Sequence, residues 1–137
     1  MNNKIQILRP VTVRARVTPA LKARLKQEVE AEVRQLDLEV QELETQLKRA
    51  QLTMTNMTPQ QQLQLRQAVD LEKQKRQAEK EALLERLREI EALPLGSEIL
   101  QGTVQAVAEV GVGDDLESLL ATEIVVEDGR IIAIRRG

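Results

Sequence analysis

Five residue types are missing altogether from this 137-residue chain: cysteine, histidine, phenylalanine, tyrosine and tryptophan. Without cysteine there can be no disulfide, thiolate nucleophile or zinc-thiolate centre. Without histidine the commonest general base and the commonest transition-metal ligand are gone. Without aromatics nothing can supply the aromatic platforms that stack the bases of a single-stranded nucleic acid. Ser97 and Ser118 have no histidine and no evident lysine to activate them. No run approaches the roughly twenty apolar residues of a membrane span, and the N-terminus has no apolar signal-peptide core. A soluble, cytoplasmic, non-catalytic protein is expected, with no cofactor, metal or small-molecule substrate.

What is present is helix. Thr18 is a suitable N-cap, and Pro19 follows at the first helical position, where its missing N–H costs nothing. From Val29 the apolar residues step by four and three through Val33, Leu36, Val40, Leu43, Leu47, Ala50, Met54 and Met57. That is the 3.5-residue period of a coiled-coil seam. Leu21, Leu25 and Val29 precede it with a local slip in register. A second helix opens with Thr58-Pro59, with Gln61 completing a capping box, and stops before Pro94 and Gly96. Each helix is about 50 Å long at 1.5 Å per residue. An antiparallel hairpin joined at Thr55-Asn56-Met57 is preferred to one long helix broken at Pro59, because it returns the chain to its start. The second seam is clear at Leu65, Ala68 or Val69 and Leu71, and again at Leu83, Leu87 and Ile90. Between Glu72 and Glu81 it nearly vanishes, leaving Ala78.

The two ends read as β structure. Val11, Val13, Ala15 and Val17 alternate with Thr12, Arg14 and Arg16 as a half-buried strand does, and Pro10 marks a bend or an edge position. Residues 98–108 form a second strand, with Leu100, Val104 and Ala106 on one face and Gly102 hinting at a bulge. Asp114 is expected to cap a short helix, with Glu117 completing its box. Asp128-Gly129 between two β-branched runs signals a tight hairpin. The near-continuous apolar runs on either side of it imply strands covered on both faces, or a small barrel. The expected fold is α+β: a long antiparallel coiled-coil helical hairpin inserted into a small antiparallel β-sheet or β-barrel head. Residues 1–17 supply the first strand of the head. Residues 18–93 supply the stalk, with helices at about 18–54 and 59–93, and residues 94–137 the remainder.

Chemical motifs are weak. Gly111-x-Gly113 lacks the third glycine of a dinucleotide loop, and the acids after it would repel phosphate. Asp114, Asp115, Glu117 and Glu123 have no EF-hand spacing, and capping accounts for the first and third. Charge is more informative. The net charge of -2 hides a first stretch, 1–27, that carries Lys4, Arg9, Arg14, Arg16, Lys22, Arg24 and Lys26 and no acid. Residues 93–137 carry eight acids against Arg130, Arg135 and Arg136. Arg9, Arg14, Arg16, Lys22, Arg24 and Lys26 are therefore candidate nucleic-acid contacts, since phosphate contacts and RNA shape need only such charges. The alternative is internal neutralisation, by Glu85, Glu89 and Glu91 across the hairpin and by the acidic C-terminal segment against the first strand.

The Val-rich first strand, the charged hairpin, Leu93-Pro94-Leu95-Gly96-Ser97-Glu98, Val112-Gly113-Asp114-Asp115 and Glu123-Ile124-Val125-Val126-Glu127-Asp128-Gly129 together resemble the YlqD family. The resemblance spans the chain and is sharpest in its last forty-five residues. It implies a small bacterial cytoplasmic protein and carries over no site residues; neighbouring ribosome-maturation genes in some bacteria imply a link to ribosomes or RNA. The functional expectation is an interaction protein that binds a protein or ribonucleoprotein partner through the stalk. Alternatives are a ribosome- or RNA-associated factor using the basic stretch, and a holdase-like chaperone using Met54 and Met57 at the tip. Val33, Leu36 and Val40 would face the thin stretch around Lys75, Ala78 and Ala82, so they are candidate contacts for a partner helix or a second copy. Close helix packing at Ala78 and Ala82 is the competing account.

Overall fold

The computed structural model describes residues 3–53 and 56–137. Met54, expected in the seam and at the tip, and Thr55, expected in the join, lie outside the described residues. In chain order the elements are β1 (Lys4–Arg16), α1 (Pro19–Thr53), α2 (Pro59–Ala92), β2 (Glu98–Gly111), α3 (Leu116–Leu120), β3 (Glu123–Glu127) and β4 (Arg130–Arg135). They fall into two compact units, Met1–Lys22 with Leu93–Gly137, and Ala23–Ala92.

The first unit is a four-stranded sheet in the order β2-β1-β3-β4. β1 pairs antiparallel with β2 along its whole length, from Lys4 opposite Gly111 to Arg16 opposite Glu98. The rung continues past the strand ends: Val17 N–H donates to Ser97 O (2.7 Å) and Gly96 N–H to Val17 O (2.8 Å). The chain thus leaves β1 and re-enters β2 at the same place. Gly96 makes that turn with φ of 86°, which suits a residue without Cβ. A register shift beside Gly102 is the bulge its position in the strand suggests.

Four expectations for this unit need correction. The sheet is mixed, because β3 pairs parallel with β1. The segment after β2 passes over β1 through α3, whose Leu119 and Thr122 neighbour accept hydrogen bonds from Arg9. It therefore delivers β3 to the far side of β1, running opposite to β2. Nor does the sheet close into a barrel, since β2 and β4 do not pair. No residue of β3 is exposed, but β4 is not covered on both faces, with Ile131 and Ile134 60% and 59% exposed. Leu100 and Val104, expected on one half-buried face, are both exposed, and the bulge beside Gly102 puts them on opposite faces, Val104 opposite Val11 and Leu100 opposite Arg14. Finally, Asp115 rather than Asp114 caps α3, accepting from Glu117 N–H at 3.1 Å. Asp114 instead closes the preceding turn, accepting from Gly111 N–H at 2.7 Å. Pro10 sits in an inner strand without cost, since β3 pairs only with Thr12 to Ala15 and leaves the rest of that side of β1 open.

The sheet curls. A flat sheet would hold β2 and β4 about 14 Å apart across two intervening strands. Yet Arg135 of β4 makes a bidentate pair with Glu98 of β2, at 2.7 and 2.6 Å, and lies 3.8 Å from Glu123. Val125, on the same face as Glu123, is completely buried there, and Val11, Ala15, Val17, Leu21 and Thr122 are the unit's other tightly buried residues among those described. Asp128 (φ 48°) and Gly129 (φ 85°) form the β3–β4 turn with both central residues at positive φ, as a tight hairpin requires.

In the second unit the two helices lie side by side and antiparallel. Lys26, Asp37, Glu39 and Glu44 of α1 pair in turn with Glu91, Lys80, Arg76 and Lys73 of α2. The capping box forms as its residues dictate: Gln61 N–H donates to Thr58 Oγ1 (3.2 Å) and Thr58 N–H to Gln61 Oε1 (3.0 Å). At the start of α1, Thr18 Oγ1 accepts from Leu21 N–H (3.1 Å) and donates to Asp128 (2.7 Å).

Candidate partner-binding surfaces

The middle of the helix pair differs from both accounts drawn from sequence. Leu36 is only 8% exposed, so it is not a free contact for a partner helix; Val33 and Val40 beside it are half-buried. Ala78 and Ala82 are exposed, so close packing through alanine does not hide them either. Across this stretch α2 presents Lys73, Arg76 and Lys80. Their side chains are between 27% and 33% exposed, and they cross to Glu44 (2.9 Å), Glu39 (3.3 Å) and Asp37 (2.9 Å). Asp37 and Glu39 lie one and three residues after Leu36, so the half-buried stems of Lys80 and Arg76 reach α1 beside it. The Arg76 Nε is itself buried without a hydrogen-bond partner.

This row was legible and was missed. Val69, Lys73, Arg76, Lys80, Leu83, Leu87 and Ile90 step by four and three without a break. Reading only apolar residues made the row vanish where long basic side chains continue it. The charges are matched: Lys73 holds the Glu44 carboxyl below its ordinary pKa of 4.5. Arg76, with Lys75, does the same to Glu72, and Glu72 in return raises the Arg76 guanidinium.

The six candidate nucleic-acid contacts are placed as follows. Arg9 Nη1 donates to Leu119 O (3.3 Å) and Thr122 Oγ1 (3.1 Å). Arg14 Nε donates to Glu123 at 3.1 Å, and Arg16 stands opposite Glu98 in the β1–β2 register. Lys22 Nζ donates to Leu93 O at 3.0 Å. Arg24 lies 3.9 Å from Glu28, and Lys26 lies 3.0 Å from Glu91, which raises its pKa above 10.5. Five of the six thus have a partner inside the chain, while Arg16 acts on Glu98 only as a nearby charge, Glu98 being hydrogen-bonded by Arg135. A cleft of about 500 Å³ beside Arg9 is lined by Glu109, Asp114, Asp115, Ser118 and Arg136. Its two aspartates are already engaged, Asp114 by the Gly111 turn and Asp115 by the α3 cap and Ser118. Among the described residues no group of three or more acids is placed to hold a metal ion. Among them, too, no helix is long and apolar enough to cross a membrane.

The outer faces of the helices carry unpaired apolar side chains. Leu38 is 58% and Leu52 79% exposed, two heptads apart on α1 and opposite its inward row. Thr45 lies halfway between them. Leu63 and Leu71 of α2 are exposed in the same way.

Two antiparallel helices of more than thirty residues, inserted in the sequence between the first two strands of a four-stranded mixed sheet, define a small α+β protein. The chain belongs to the YlqD family, whose model, described as "YlqD protein", matches residues 5–135. It is similar to a crystal structure of a protein of unknown function from Synechococcus sp. WH 8102, at 27% identity and a TM-score of 0.79 over 97% of each chain. No curated protein matches it.

Proposed function

We propose that the protein is a non-catalytic interaction protein, in which α1 and α2 form a coiled-coil stalk and the outer face of α1 binds a partner protein. The observation that carries this reading is the placement of Leu38 and Leu52, exposed at coiled-coil spacing on the side of α1 away from α2. Nothing in the helix pair needs leucine there. A helix docking with knobs at those two positions, and Thr45 between, would cover them. The RNA reading ranks second because five of the six basic residues it relies on are matched by acids or carbonyls within the chain. The holdase reading is supported by Leu52 and Leu63, exposed on either side of the join.

The test is capture from bacterial lysate on the immobilised chain, with nuclease treatment as a second arm. A discrete set of proteins should be retained after nuclease and lost with Leu38→Gln plus Leu52→Gln. Loss on nuclease treatment alone would favour RNA, and undiminished capture by the double variant would remove the α1 face from consideration.

A further inference from the structure

The two outer strands of the sheet are built very differently. β4 is six residues long, begins and ends in arginine and lies beside a register shift, all features that discourage further pairing. β2 is fourteen residues long, with no proline and no lysine. Over Lys4 to Pro10, β1 has β2 as its sole strand partner, so this half of the sheet is a two-stranded ribbon. Such a ribbon is marginal in water by itself. Ile5, Leu8, Val104 and Val107, all about half or more exposed, lie on it.

The direction of the free groups follows from one hydrogen bond. Thr12 N–H donates to Thr122 O, on the β3 side of β1. Peptide groups alternate along a strand, so odd-numbered residues of β1 turn towards β2, and Val104, Ala106, Ala108 and Val110 turn back to meet them. Thr103, Gln105, Val107 and Glu109 therefore point their N–H and C=O groups outward. Among the described residues nothing bonds to these eight groups. The run is bounded at one end by the bulge beside Gly102 and at the other by Gly111, whose N–H is taken by Asp114.

We infer that this edge pairs with the same edge of a second copy, antiparallel about a two-fold axis through Ala106. In that register Thr103 stands opposite the partner's Glu109, and Gln105 opposite the partner's Val107. All eight outward groups of each chain are bonded. No like charges meet: the only charged side chain in the run faces a threonine hydroxyl. Ala106 meets Ala106, the smallest side chain at the point of closest approach, where Cα atoms are about 4.5 Å apart. On the same face Val104 meets Ala108, so the apolar row of each ribbon runs on into the other. Two marginal ribbons become one four-stranded segment, in an isologous contact that closes on itself.

The chain lacks cysteine, so Ala106→Cys introduces a single thiol, and the Cα separation lies within disulfide range. The full chain should sediment with twice the monomer mass at tens of micromolar. Mild oxidation should convert Ala106→Cys to a covalent dimer much faster than Leu100→Cys, which is exposed on β2 but does not meet its own copy. Gln105→Pro removes an outward N–H and no β1–β2 bond, so it should sediment as a monomer with an unchanged circular dichroism spectrum. If Gln105→Pro does not fold, the two cysteine variants decide alone. A wild-type monomer at hundreds of micromolar overturns the inference, and so does a dimer in which the two thiols oxidise at equal rates.

Discussion

At the scale of single residues, Leu36 and Leu38 make the sharpest contrast in the molecule. They are two positions apart on one helix, yet one is 8% and the other 58% exposed. Leu36→Ala should cost about 2–3 kcal/mol, the low end for a buried leucine because so thin a pair can partly collapse around the gap. Leu38→Ala should leave the urea midpoint nearly unchanged. Arg76 is half-buried and pairs with Glu39 three residues from Leu36, so Arg76→Met should retain more of the wild-type midpoint than Arg76→Ala does. Equal losses for the two Arg76 variants would mean that its charge, and not its stem, matters there.

Elements are held by local devices that can be removed one at a time. The reciprocal bonds between Thr58 and Gln61 satisfy donors that the first turn of α2 would otherwise leave open. Thr58→Ala should destabilise the fold by about 1 kcal/mol, and Thr58→Ser by much less, in matched thermal denaturation. These caps, the Asp128-Gly129 turn and the four-three spacing of α1 were all legible in the sequence. Each depends on residues within one or two turns of each other. The cap of α3 was misread by one residue because Asp114 and Asp115 are chemically identical. Only the turn at Gly111, which engages Asp114, decides between them.

For the whole molecule, acid is the informative stress. Glu44 and Glu72 in the helix pair and Glu98 in the sheet all have carboxyls held below their ordinary pKa of 4.5 by cationic partners: Lys73, Arg76 and Arg135 respectively. A depressed folded-state pKa contributes stability above about 4.5, lost as pH falls through the folded value. Urea midpoints should therefore be flat from neutrality down to about pH 5 and fall below about 4.5. Glu98→Gln should lessen that fall; an identical slope in the variant would show that the Arg135 bridge is energetically idle. Lys26 works at the opposite end. Its pKa is raised by Glu91, so its contribution is complete at neutral pH and is lost only as pH climbs past 10.5.

The sequence by itself determined where the two long helices begin, which residues of α1 turn inward, where the chain reverses at Asp128-Gly129, and which chemistries are absent. All of these are set by side chains close together along the chain, or by composition. Tertiary structure alone decided that β3 joins β1 in parallel, since strand order depends on where a crossing segment lands. It also decided that Leu100, Val104 and Ile134 lie exposed. Alternation tells which residues share a face of a sheet, but not whether anything packs against it. The candidate surfaces divide in the same way. Leu38 and Leu52 became candidates only when α2 was seen on the other side of α1. Most basic residues of the first stretch turned from a patch into a set of internal pairs once Glu123, Glu91 and Leu93 came beside them. A charge takes its meaning from the partner opposite, and that partner is far away in sequence.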